Sequence, residues 1–345
     1  MWPVVGHQRA VELLRRSMAA QSLSHAYLIE GPAQVGKAAL ALAFAQALNC
    51  TSESAPCGVC RPCRLIGKRT HPDVTVLELG VGIAAEPAPG ESPGRVRKEI
   101  GVHAVRTLRH DVGLLPYEAR WKVYVILDAE HLSPEAENAL LKTLEEPPPQ
   151  TILVLTTCDA GLLPPTVVSR CQSVRLHLLP TMDVESALVE RWGQDPERAK
   201  LLARLSGGRL GWAVMAVEDE DVMEDRERAL DKLGEVVASG YHGRFNHAED
   251  LAGRLRHDAE AVSTEMGHWL GWWRDVLLVE SGCPELATNL DRQTELERAA
   301  RSVSVGQAYS AIRSVEEALV QLSQNANPRL ALEVLMMRMP KLGLS

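Results

Sequence analysis

A glycine-rich stretch, Gly31 to Ala38 (GPAQVGKA), stands between a short apolar run and an alanine-rich run, and no other feature constrains the fold as strongly. The run before it, His25 to Glu30 (HAYLIE), has the length of a buried strand, and the run after it, Lys37 to Leu48, has the composition of a helix. Strand, tight turn and helix N-terminus together gather backbone N–H groups around one point, where the helix dipole also favours an anion. Gly31, Gly36 and Lys37 meet three of the four specified positions of the phosphate-loop pattern. The fourth should be Ser or Thr, whose hydroxyl ligates Mg2+, and it is Ala38. The loop is therefore a candidate for ATP or ADP, with Mg2+ ligation disfavoured and hydrolysis in more doubt than binding.

Just downstream, Cys50, Cys57, Cys60 and Cys63 are separated by six, two and two residues. Four thiolates at such spacings suit one tetrahedral zinc ion, because two-residue gaps let successive sulfurs turn back onto a centre at ~2.3 Å. A complete thiolate shell leaves no position for water or substrate, which makes the expected zinc structural. Two disulfides are the alternative. No secretory leader precedes the array, and a long charged chain reads as cytoplasmic, where thiols stay reduced. Cys158, Cys171 and Cys283 are scattered and read as small core residues. Arg61, Arg64, Lys68 and Arg69, with His71 beside them, surround the end of the array either as a solvated surface or as a phosphate contact.

The 345 residues suggest two or three domains, and a hydrophobic content of 46% supports sizeable cores. No apolar run approaches the ~20 residues of a membrane span. A net charge of −8 argues against a free-standing, nonspecific DNA binder. The first half alternates helix and strand: Gln8 to Met18 has helical spacing, while Val74 to Leu77, Val123 to Leu127 and Ile152 to Thr156 are β-branched and unalternating, as buried parallel strands are. The class is α/β. Residues 79 to 97, rich in Gly and Pro, read as a surface loop. Beyond residue 178 only helical periodicity remains, in Leu188 to Trp192, Ala199 to Leu205, Ala229 to Val237, Ala259 to Val279, Leu296 to Arg301 and Tyr309 to Leu322. Ser239 to Arg244 reads as a breakpoint, and the acidic run Glu218 to Glu227 as a solvated face or linker.

A hydrolytic strand of this kind normally ends in two adjacent acids, one for the metal shell and one for the attacking water. Val123 to Leu127 is followed by Asp128, Ala129, Glu130 and His131. Were the strand to continue, Glu130 would lie ~6.6 Å beyond Asp128 on the same face, a poor substitute for the missing neighbour. Efficient intrinsic ATP hydrolysis is not expected.

The runs Asn138 to Pro148 (NALLKTLEEPP), Thr156 to Cys171 (TTCDAGLLPPTVVSRC) and His71 to Asp73 (HPD) resemble the clamp-loader branch of AAA+ proteins. Val4 to Met18 resembles the family's N-terminal box, Asn327 to Pro340 resembles the end of its C-terminal helices, and a four-cysteine insert after the phosphate-loop helix is typical of its bacterial members. The resemblance spans nearly the whole chain. It implies an α/β AAA+ (P-loop) domain with a parallel sheet at 1–178, carrying a zinc module at 50–63. A small helical lid domain at 179–240 and an all-helical C-terminal collar domain for oligomerisation at 241–345 would follow. It also implies that Arg170 is an arginine finger acting in trans, exposed in the free subunit, and that Thr157 and Arg209 stand at the two sensor positions. Gly31, Gly36, Lys37, Ala38, Asp128, Thr157 and Arg209 would then form a nucleotide site, vestigial in part. Counting back from Asn138, Asp128 falls one residue after the metal-shell acid of the hydrolysing subunits.

Within that family the chain matches a stator-like subunit of a DNA-directed DNA polymerase holoenzyme, without ATPase activity of its own. Its partners would be the motor ATPase subunits and delta, and, through the complex, the sliding clamp and primer-template DNA. Two alternatives stand beside it: an ATP-hydrolysing motor subunit of the same family, and a zinc-dependent nucleic-acid-binding module with a relic loop. Met266 to Val279 (MGHWLGWWRDVLLV) carries aromatic residues on more than one helical face, which suits either a helix between neighbouring subunits or a core helix.

Overall fold

A computed structural model describes residues 2–79, 99–112, 115–324 and 326–342. The loop read at 79 to 97 lies, apart from Leu79, outside the described residues. The chain forms two compact units, residues 1–183 with 208–211 and residues 184–207 with 212–345.

In the first unit, β1 (Ala26–Glu30), β2 (Val74–Leu77), β3 (Lys122–Ile126), β4 (Thr151–Thr157) and β5 (Gln172–Arg175) make one sheet in the order β2-β3-β4-β1-β5. Every pairing is parallel. Successive side chains enter opposite cores: Tyr27, Ile29, Val123, Val125, Ile152 and Val154 join α1 (Gln8–Ala19), α2 (Lys37–Asn49) and the short α3 (Arg61–Gly67). Their neighbours Ala26, Leu28, Tyr124, Ile126, Leu153 and Leu155 join α4 (Val102–Val112), α5 (Pro134–Glu145) and α6 (Pro165–Val168). Burial on both faces is why these strands read as unbroken apolar runs. The unit is an α/β domain with a parallel sheet, the class expected from the sequence. β5, absent from the sequence reading, is an edge strand in which only Val174 is buried, so neither apolar run nor alternation marks it.

The second unit is helical, comprising α7 (Thr181–Trp192, which begins in the first unit), α8 (Pro196–Leu205), α9 (Leu210–Glu218, likewise), α10 (Asp221–Ala238), α11 (Tyr241–Arg254), α12 (Ala259–Glu280), α13 (Gln293–Ser302), α14 (Val305–Ser323) and α15 (Pro328–Arg338). Its core draws on α10 through α15. Trp269, Trp272 and Trp273 are all buried there, and Trp269 Nε1 donates to Ala229 O at 2.9 Å. The aromatic helix is therefore a core helix of its own chain. The acidic run is not a linker: Asp221 opens α10, and Arg226 within it is buried against Asp291 at 2.7 Å and Asn289 at 2.5 Å.

The expected breakpoint at Ser239 to Arg244 does separate α10 from α11, but Arg244 is only 3% exposed. Its guanidinium donates to the carbonyls of Val236, Val237, Met336, Met339 and Pro340 at 2.6 to 3.2 Å. It thereby ties the C-terminal ends of α10 and α15 together, giving a charged donor to carbonyls that lie beyond the reach of the helices' own i to i+4 bonds. Arg244→Ala should destabilise this unit by ~3–5 kcal/mol, since each buried carbonyl deprived of a charged donor costs ~1–3 kcal/mol and the losses overlap. Urea unfolding measures this, and a shift below about 1 kcal/mol would remove Arg244 from the list of structural pins.

Candidate nucleotide and metal sites

The register pairing Glu30 with Thr157 sets the ends of β1 and β4 side by side, and Gly31 N donates to Thr157 O at 3.2 Å as the loop departs. A Cβ at Gly31 would stand 2.6 Å from Leu176 O, so the close approach to the neighbouring chain requires glycine. Gly36, with φ of 105°, caps α2 from the left-handed region that glycine tolerates. The loop is also held from outside. His7 Nε2 donates to Val35 O at 2.9 Å, and Gly211 N donates to Gln34 O at 2.7 Å. Burial, with His177 nearby, holds the His7 pKa below its ordinary value.

Lys37 opens α2 and is buried. Its ammonium donates to Gly31 O at 2.9 Å, Pro32 O at 3.1 Å and Cys158 Sγ at 3.4 Å. Cys158 is thus no core residue: it is exposed at the end of β4, beside the loop lysine. Cys171 and Cys283 are half-buried. Ala38 follows Lys37 in the first turn of α2 and contributes no oxygen.

The structure revises the reading of Glu130. β3 ends at Ile126, Asp128 adopts a left-handed backbone with φ of 48°, and residues 129–131 form a 3-10 turn. A turn, unlike a continued strand, brings Glu130 back: the ligand atoms of Asp128, Glu130 and Cys158 all lie within 4.8 Å of one another. Glu130 Oε1 accepts from Cys158 N at 3.0 Å, and Asp128 N donates to Thr156 Oγ1 at 2.9 Å. Burial, then the nearby Glu130 charge, raises the Asp128 pKa. Thr157 is buried, and its hydroxyl is engaged by the next turn, donating to Asp159 O at 3.0 Å. Arg209 is exposed just ahead of α9, two residues before the Gly211 that touches the loop.

Arg170 lies apart from this cluster, following α6. Its side chain is 35% exposed. It does not project freely, because Nη2 donates to Glu145 Oε1 and Nη1 to Thr166 O, each at 2.9 Å. The expectation of an exposed finger becomes that of a tethered one.

The four cysteines converge as their spacing requires. Their sulfurs all lie within 4.8 Å of one another, with Cys50 and Cys60 at 3.9 Å, and none is in a disulfide. A zinc–thiolate tetrahedron at ~2.3 Å has edges of ~3.8 Å, so the arrangement fits the ion. Ser52 N donates to Cys50 Sγ at 3.4 Å and Cys60 N to Cys57 Sγ at 3.3 Å, dipoles that favour thiolates. Burial works against charge on Cys60, yet N–H donors from Thr51 and Cys63 bring its pKa to about 6, while burial pushes Cys63 up to about 12.

The module is fastened to the sheet by hydrogen bonds and an ion pair whose partners lie far along the chain. Asn49 exchanges two hydrogen bonds with the Trp121 backbone at 2.9 and 3.0 Å, and Arg61 pairs with Glu118 at 2.5 Å. Asp73, of the HPD run, is buried and accepts from the backbone N–H groups of Tyr117, Glu118 and Ala119 at 2.6, 2.8 and 2.9 Å. Burial alone would raise its pKa, but these donors hold it below the usual value. The basic stretch is correspondingly divided: Arg69 is paired with Glu78 and His71 is buried, while Arg64 and Lys68 stay exposed.

Comparison with known proteins adds relatives. A family model described as "DNA polymerase III, delta subunit" matches residues 6–180. The DNA polymerase III subunit delta' of Bacillus subtilis (strain 168) is 29% identical over 326 residues, covering 92% of each chain. The tau subunit of Escherichia coli (strain K12) is 33% identical over 214 residues, which are 60% of this chain and 31% of tau. Among solved structures, a DNA polymerase III gamma subunit-related protein of Thermotoga maritima matches with a TM-score of 0.47 and 17% identity, covering 95% of this chain and 98% of its own.

Proposed function

The chain belongs to the DNA polymerase III delta-subunit family and is a clamp-loader subunit homologous to delta-prime; from that membership we propose that it works as a stator, completing a neighbour's ATP site with Arg170 in trans. The observation that carries this reading is the contrast between its two sites. Its own loop lacks the Mg2+-ligating hydroxyl at Ala38, and Lys37 is turned onto carbonyls of the loop itself. Arg170, in contrast, sits part-exposed with its fork held by one half-exposed carboxylate, Glu145, and one backbone oxygen. A planar, permanently charged fork is suited to phosphate oxygens once that weak tether is exchanged for a partner's site. The partners are the motor ATPase subunits and delta, with the clamp and primer-template DNA reached through the assembly.

The four cysteines hold a structural zinc. The helical region divides into a lid up to residue 240 and a collar beyond it, with α10 lending Leu230, Leu233, Val236 and Val237 to the collar's core. No described helix is long and apolar enough to cross a membrane, and a cytoplasmic location suits a replication protein.

Purified alone, the chain should turn over ATP negligibly, and mixed with motor subunits and delta it should raise their clamp- and DNA-stimulated turnover. Phosphate release measures both, and turnover on the order of 1 s⁻¹ by the isolated chain would overturn the stator reading. One observation favours the motor alternative: Glu130 stands beside Asp128, restoring a second carboxylate at the strand end. In that case Glu130→Gln would abolish turnover by the isolated chain.

A further inference from the structure

We propose that the outer face of the four-cysteine module, together with the loop 115–120, is a contact surface for single-stranded nucleic acid, with Tyr117 as its stacking platform. Tyr117 is 85% exposed, Val59 at the tip of the module 75%, and Leu115 70%. An exposed tyrosine is ordinary; an exposed tyrosine on a pinned backbone is less so. Asp73 takes the N–H groups of three consecutive residues beginning with Tyr117, and Asn49 clamps Trp121 from the other side. Asp73 is itself fixed, since its N–H donates to the buried His71 Nδ1 at 3.1 Å. The backbone part of the ordering that an aromatic platform needs before a base can stack on it is thus built into the fold.

The charge beside this platform is positive although the chain as a whole is acidic. Arg61, Arg64 and Lys68 recur at helical spacing on and just past α3, so they share one side. The Arg61–Glu118 pair turns that side toward the loop carrying Tyr117. Residues 50–78 and 115–121 hold five Lys or Arg and four Asp or Glu. Arg61 is cancelled by Glu118 and Arg69 by Glu78, while Asp73 is buried beneath its donors. What faces outward is Arg64, Lys68 and Arg120 against Glu53, all exposed. Cations beside an exposed aromatic on a fixed backbone match a phosphate backbone whose bases are free to stack, which a double helix does not offer. An acidic peptide would satisfy the cations but leave Tyr117 without a stacking partner.

The test is fluorescence anisotropy with the full chain and labelled oligothymidylate of about 20 nucleotides, at about 50 mM salt and upward. A duplex of the same length and an Asp/Glu-rich peptide are the competitors. Binding should weaken with salt with a logarithmic slope near 2, from three cations at ~0.7 each. Tyr117→Ala should weaken it ~5- to 50-fold, and Tyr117→Phe, which keeps the ring, should bind like the parent. The double variant Arg64→Glu, Lys68→Glu should lose most of the salt dependence. Zinc content and unfolding midpoint should be unaltered in all of them. The proposal is overturned by absence of binding at the lowest salt, by unweakened binding of Tyr117→Ala, or by duplex or peptide binding as tightly as the single strand. None of these readouts involves ATP or Arg170, so failure of the stator reading would leave this one standing, and the reverse.

Discussion

If Arg170 completes a neighbour's ATP site as proposed, replacing it with Ala should cut turnover at that site in a reconstituted loader by ~10³-fold or more, as loss of a finger arginine does in other phosphoryl-transfer systems. The loss for the whole assembly should be smaller, because the other ATP sites keep their own fingers. The isolated chain should barely change. Arg170 gives up an ion pair with a half-exposed glutamate, and such pairs contribute ~0–1 kcal/mol. Arg170→Lys should rescue only in part, since an ammonium keeps the charge but cannot present two parallel donors. Glu145→Gln is an informative companion: it loosens the tether without touching the finger, and turnover should stay within a few-fold of the parent. Wild-type turnover and clamp loading by the Arg170→Ala assembly would sink the proposal, as would unfolding of the free Arg170→Ala chain.

The second large effect concerns the metal. Purified protein should carry about one equivalent of zinc, and Cys60→Ser should lower that content, because a water in place of one of four thiolates holds the ion more weakly. Metal binding free energy is folding free energy for the module that forms the site. Loss should therefore spread from residues 50–63 to the segments tied to them through Asn49–Trp121 and Arg61–Glu118. A loss of ~3–5 kcal/mol corresponds to a fall of roughly 10 °C in the unfolding midpoint for a unit of this size. Metal analysis and calorimetry on parent and variant decide it. Metal-free protein with four titratable thiols and an unchanged midpoint would show that the cysteines do not hold zinc.

Much of the first unit was legible in the sequence because its signals are local. The phosphate loop, α2 and three of the flanking strands are runs of consecutive residues whose composition alone marks them, and the observed strands differ from the expected ones by no more than a residue at either end. The cysteine cluster was legible for the same reason. What escaped depends on partners distant in the chain. Asn49 and Arg244 are ordinary polar residues until folding brings backbone groups dozens of positions away within reach, and the HPD run marks Asp73 as a motif position without showing that it takes the N–H groups of residues 117–119. The place of Glu130 is not legible in the sequence because the strand ends four residues earlier, at Ile126, and a period of two has no force in a 3-10 turn. Residue type makes Cys158 a core candidate, whereas its place just past β4 leaves it exposed.

The contacts of Lys37 have a further consequence. Its ammonium is already ligated by Gly31 O, Pro32 O and Cys158 Sγ, so the loop carries an internal competitor for its own principal charge. A phosphate must draw the lysine from these acceptors before it gains anything from it. For any nucleotide the loop takes, the measured affinity would then be the intrinsic one multiplied by the fraction of molecules with the lysine released. Each ~1.4 kcal/mol in the latch weakens nucleotide binding about tenfold without altering a single residue that touches phosphate. A loop that retains the phosphate-binding glycines and lysine can in this way be tuned toward silence by its resting contacts alone.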